Sequence, residues 1–187
     1  MFDRTLNAAE TVSRVFVWVG GSLILGSAIL VTIEVFLRKF LNVSLGGADE
    51  ISGYAFGVAT SLGFAYALFE RAHIRVDAVY TFFPKTMQRV ADLVGLVLLV
   101  GFGAVVAYMA WSLVGDTLKN GSRSITPMRT PLAIPQIPWL IGWLFFVATG
   151  VLMFIAALAN LFTGRGERAD QLIGMKTLSE QIEDETV

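Results

Sequence analysis

Cysteine is absent from this chain of 187 residues, and histidine occurs once, at His73. Without cysteine there are no disulfides, no thiol nucleophile, no cysteine-ligated metal and no disulfide exchange with membrane quinones. One histidine cannot supply both axial ligands of a bis-histidine haem, and a zinc site needs three or four ligands. Charge is scarce too, at 16% of residues against about 25% in a soluble domain. The net charge of −1 argues against a nucleic-acid partner. No glycine-rich phosphate cradle occurs. Intramembrane hydrolases combine histidine with serine or a second histidine. Here Ser61 and His73 fall at different depths of the membrane on the topology derived next. The expectation is a chain that is not an enzyme and carries no metal and no cofactor.

What is abundant is apolar surface. The chain is 55% hydrophobic, with a mean hydropathy of +0.68, more than one soluble core of this size can hide, so the solvent is lipid. Charges mark the spans. Nineteen uncharged residues run from Val15 to Ile33, nineteen more from Ile51 to Phe69, and twenty-three from Leu93 to Gly115. No charge lies between Arg129 and Arg165. A helix needs about 20 apolar residues to cross a hydrocarbon layer of roughly 30 Å. The chain therefore reads as an all-α, polytopic membrane protein with four transmembrane helices, at about 15–37, 50–70, 90–115 and 137–163. The segments are too long, and lack the period-2 alternation, for a barrel. The expected organisation is a cytoplasmic segment 1–14, a transmembrane domain 15–163 and an acidic cytoplasmic tail 164–187. The first span exceeds a signal-peptide core, and "EVFLRKF" follows it where a small-residue cleavage site belongs, so it is expected to be retained.

Orientation follows from lysine and arginine. Nine of them fall on the side of the termini and five on the other, which places both ends in the cytoplasm. Trp111, Trp139 and Trp143 would then lie near the outer interface.

Candidate residues sit at the rims of the spans. Glu34 precedes Arg38 by four, so the two can pair on one helical face. Glu34 reads either as a structural anchor or as the coupling carboxylate of a small homodimeric proton-driven exporter. Asp49 and Glu50 open the second span, where the helix dipole favours carboxylates by roughly 0.3–1 kcal/mol each, and they concentrate negative charge on the outer face. Gly53 and Gly57 form a GxxxG spacing continued by Ser61 and Ala65, and Ser22 and Gly26 repeat it in the first span. Small residues at that spacing let backbones approach, within this chain or in another. The connector "ERAHIRVDAVYTFFPK", residues 70–85, holds His73, Arg75 and Asp77 and reads either as an amphipathic surface piece or as a solvated link. The tail has three basic and six acidic residues after Gly164. Its Leu172, Ile173, Leu178 and Ile182 fit either a short surface helix or a disordered segment.

The order "EVFLRKFLNVSLGGADEISGYAFGVATSLGFAYALFERAHIRVDAV", residues 34–79, with "SITPMRTPLAIPQIPW" at 124–139, resembles the small integral-membrane (Q-type) subunit of tripartite ATP-independent periplasmic (TRAP) transporters. The resemblance spans about residues 10–163. It rests on Glu34, Phe36 and Arg38, on Asp49 and Glu50, on Gly63 and Ala67, and on "HIRVD", His73 to Asp77. It implies an inner-membrane subunit that scaffolds a large multi-helix permease. It also implies a periplasmic substrate-binding protein, surrounding phospholipids, and sodium-coupled uptake of an organic acid, a four-carbon dicarboxylate being the commonest choice. His73 would then be part of a joint, with Arg75 and Asp77 paired.

Overall fold

The structure is a computed structural model and describes residues 2–72, 84–164 and 166–174. Five α-helices carry it: α1 (Phe2–Phe36), α2 (Ala48–Phe69), α3 (Lys85–Asn120), α4 (Ala133–Phe162) and the short α5 (Gly166–Ile173). Four are long and apolar enough to cross a membrane. At 1.5 Å per residue, α2 is about 33 Å long and matches the hydrocarbon layer, whereas α1 and α3 exceed 50 Å. Both overrun their predicted spans. The extra turns of α1 lie at the end that carries the termini, where it continues unbroken across the expected boundary at residue 14, whereas α3 extends past its span at both ends, from Lys85 to Asn120. Charges mark where water begins; a helix with satisfied backbone bonds has no reason to stop there.

The helices form an open row. α1 packs on α2, α2 on α4, and α4 on α3, while α4 keeps α2 and α3 apart. Glycines set the close approaches. A Cβ on Gly20 would lie 3.2 Å from the Cα of Ala59, bringing α1 and α2 together. A Cβ on Gly142 would lie 2.5 Å from Ser61 Oγ and 2.7 Å from its carbonyl carbon, a close backbone approach between α2 and α4. Gly103 of α3 receives the Phe146 ring, and Gly150 of α4 receives Val100. Lipid supplies no hydrophobic drive between helices, so this fit, together with dispersion, holds the row. Ser61 and Ala65 are fully buried in the α2–α4 seam side of the helix, as the small-residue face anticipated. Gly53 and Gly57 meet nothing within 4 Å, and neither does Gly26.

The main core lies toward the termini: Leu6, Leu68, Leu96, Phe146, Met153, Ala156, Ala157 and Ile173. Phe64, Trp143 and Phe146 extend it, with ring centroids 4.9 to 5.9 Å apart. Trp143 thus packs against protein, whereas Trp111 is exposed. Of the apolar residues proposed for a tail helix, Ile173 is buried in this core; Leu178 and Ile182 lie outside the described residues. α5 is tied down by Arg89, whose Nε and Nη2 donate to the two carboxylate oxygens of Asp170 at 2.8 and 2.9 Å. The pair is one-third exposed, so water screens it. Asp170→Asn is expected to lower the melting temperature of the detergent-purified chain by no more than about 2–4 °C. A larger drop in a thermal-shift assay would show that α5 anchors the core through this pair rather than through Ile173.

Candidate functional site

The end opposite the termini gathers four of the rim residues singled out in the sequence. After α1 the chain widens into one π turn, Leu37–Leu41, and Asn42 then takes a left-handed conformation (φ 53°) that ends the helix. The following segment folds back over the helix end. Ser44 donates its hydroxyl to Glu34 Oε1 at 2.6 Å, and the Leu45 N–H donates to Oε2 at 2.8 Å. Gly46 N–H donates in turn to Ser44 Oγ at 3.1 Å. Glu34 therefore anchors the α1–α2 loop. The expected partner, Arg38, forms no ion pair with it among the described residues; loop donors with no helical acceptor of their own occupy both carboxylate oxygens instead.

Glu50 does the same for the other loop. Its Oε1 accepts the Tyr54 hydroxyl at 2.8 Å, and its Oε2 accepts the Thr126 hydroxyl from the α3–α4 connection. That connection is itself ordered by a two-residue bridge between Arg123 and Pro131, by Ser124 N–H donating to Thr130 O at 2.9 Å, and by Arg123 Nη1 donating to Arg129 O at 3.2 Å. The two loops touch: a Cβ on Gly47 would collide with the Met128 side chain. Between them lies a cleft of about 310 Å³ edged by Glu34, Arg38, Asp49 and Glu50. Arg38 and Asp49 are both exposed, and neither joins an ion pair among the described residues. Thr126 and Ser44, which complete these two latches, carry no sequence signal of their own, because a hydroxyl in a loop is unremarkable until its partner is known.

Gly53 and Gly57 line a separate groove of about 180 Å³ with Leu132, Pro135, Gln136 and Trp139. The Oε1 of Gln136 is buried there without a hydrogen-bond donor among the described residues. His73, Arg75 and Asp77 lie outside the described residues. One further acid, Asp92 near the start of α3, is only 4% exposed. It reads in the sequence merely as the edge of a span. No group of three or more histidine or acidic side chains gathers as a metal site among the described residues.

The family model described as "Tripartite ATP-independent periplasmic transporters, DctQ component" matches residues 27–165. The chain belongs to the DctQ family. Comparisons with curated proteins and with solved structures return no match. A DctQ component is part of a transporter rather than an enzyme, and the tripartite system to which it belongs also includes a large permease and a substrate-binding protein. With four apolar helices long enough to span, the chain is a multi-pass inner-membrane protein. Glu34, the residue on which the exporter reading depends, sits at a helix end with both oxygens engaged by a loop.

Proposed function

We propose that this DctQ component is a scaffold: it holds the large permease in place during sodium-coupled, binding-protein-dependent uptake of an organic acid, a four-carbon dicarboxylate being one candidate, and translocates nothing itself. The observation that carries this reading is the placement of charge. The uncharged centres of all four spans leave no ionisable group at mid-membrane, where a substrate pathway needs polar lining. The open row supports it as well, since two edge helices and both faces remain available to a larger neighbour. The termini are cytoplasmic, so the latched loops face the periplasm. There Arg38 and Asp49 meet the permease or the binding protein, while the Gly53–Gly57 groove receives a permease helix that brings a donor to Gln136. The "HIRVD" loop braces the cytoplasmic side, and phospholipids fill the remaining joint.

Reconstitution tests the reading directly. The chain alone in liposomes is expected to give no uptake of labelled organic acid under a sodium gradient, and addition of the permease and binding protein is expected to restore it. Flux through the isolated chain would overturn the scaffold.

A further inference from the structure

We propose that the cleft between α2 and α3 is a phospholipid site, taking one acyl chain along its length with the headgroup phosphate on Arg71. Because α4 keeps α2 and α3 apart, a cavity of about 390 Å³ remains between them at the end that carries the termini. Leu68 of α2 forms one wall and Leu96 and Leu99 of α3 the other; Met153 of α4 is the floor, and Ile173 of α5 closes one end. Gly95 contributes no side chain to the α3 wall, and a Cβ there would meet nothing within 4 Å. From Gly95 to Phe102 the wall is about 10 Å long at 1.5 Å per residue, enough for a substantial length of hydrocarbon. At the side, Leu98 and Phe102 are 68% and 64% exposed, so the cleft opens sideways into the bilayer rather than into water.

Exchange of one hydrocarbon surface for another gives an acyl chain little reason to settle here. The polar group at the rim supplies one. Arg71 follows α2 in a left-handed conformation (φ 54°) and is the only charged residue lining the cavity among the described residues. Arg71 already interacts within the chain; a guanidinium carries five N–H donors and binds phosphate in a two-pronged geometry. An apolar slot open to lipid with one cation at its mouth has the chemistry of a glycerophospholipid: a chain in the slot, a phosphate at the cation. Arg71 lies outside the latches at the opposite end, so the proposal does not rest on the scaffold reading.

Native mass spectrometry of the full-length chain, titrated with dioleoyl-phosphatidylglycerol, tests it. One lipid is expected to be retained. Dioleoylglycerol, with the same chains and no phosphate, and the variant Arg71→Gln should each bind about tenfold more weakly, the loss of one charge-assisted contact. Arg71→Lys should recover part of that loss. Gly95→Leu, which fills the slot and raises helix propensity, should abolish retention with helicity unchanged. Equal binding of the two lipids, or of wild type and Gly95→Leu, would overturn the proposal. A photocrosslinker at Leu99 that labels residues 73–83 in place of lipid would overturn it too, by showing that the chain fills its own cleft.

Discussion

Gly142→Leu is expected to destroy the protein, whereas Gly53→Leu is expected to leave it folded and to impair only its assembly. The two glycines stand on facing stretches of α4 and α2 in the same membrane, yet their surroundings are opposite. At Gly142 the first added carbon already falls 2.7 Å from the Ser61 carbonyl carbon, so α2 and α4 must separate before any side chain fits. Backbone cannot yield as a side-chain tip can. Separating the two most buried helices of the row also withdraws the support on which α1 and α3 depend. Overpacking a core commonly costs 1–3 kcal/mol, and a clash with backbone at a central seam should exceed about 3 kcal/mol. Gly142→Ala should already destabilise measurably. At Gly53 there is only open space and the groove beside Trp139. A leucine there should leave expression, helicity and the melting temperature of the isolated chain within error of wild type, and should lower co-purification with the permease. Thermal melts and pull-downs of both variants decide the matter. Equal loss of folding in both would mean that the row closes on itself at Gly53; equal recovery of the complex would remove that groove from the interface.

The contrast between these glycines also marks how far the sequence reaches. The four spans are legible from charge alone, because lipid forbids what water allows and the forbidden residues leave gaps of the right length. The helix ends are less so: α1 and α3 continue past their last apolar turn, since nothing in Arg14 or Arg89 breaks a helix. The GxxxG motif at Gly53 is conspicuous and unpartnered among the described residues, while Gly142, isolated between Ile141 and Trp143, makes a close backbone contact between α2 and α4. Spacing shows where helices can approach; only the tertiary fold shows where they do. The row order α1–α2–α4–α3 is invisible for the same reason. At the rim, Glu34 is legible as an anchor, but the groups that hydrogen-bond its carboxylate are not its neighbour in sequence. Arg38 is four residues away, and Ser44 and Leu45 come back over the helix end to take the carboxylate. Glu50 and Thr126 are 76 positions apart, beyond any local pattern.

That long-range contact yields the second large effect. Glu50→Ala is expected to release the α3–α4 connection, freeing the backbone at the already exposed Arg123 and Arg129 to enter the trypsin site and raising the cleavage rate in detergent by about tenfold, the range over which local opening responds to loss of one or two anchoring bonds. The carboxylate holds Tyr54 on its own helix and Thr126 on the loop at once, with the Ser124 and Thr130 hydroxyls of the same loop adding weaker contacts, and only the loop hydroxyls, Thr126 foremost, resist opening. Thr126→Val should therefore reproduce most of the effect, and the double variant should be no worse than Glu50→Ala alone, because both changes remove the same bond. Glu50→Gln, which keeps an acceptor but loses the charge, should fall between wild type and alanine. Asp49→Ala is the control. Its side chain makes no ion pair among the described residues, so trypsin should cut that variant at the wild-type rate even if uptake by the assembled transporter falls. Additive effects of Glu50→Ala and Thr126→Val would show that the two act separately. Accelerated cleavage in Asp49→Ala would show that the loop is held by the charge of the whole rim and not by one carboxylate. A latch of this kind matters to a scaffold because the surface offered to a partner is made of both loops at once. Uptake and loop protection should therefore fall together in Glu50→Ala, whereas they should separate in Asp49→Ala.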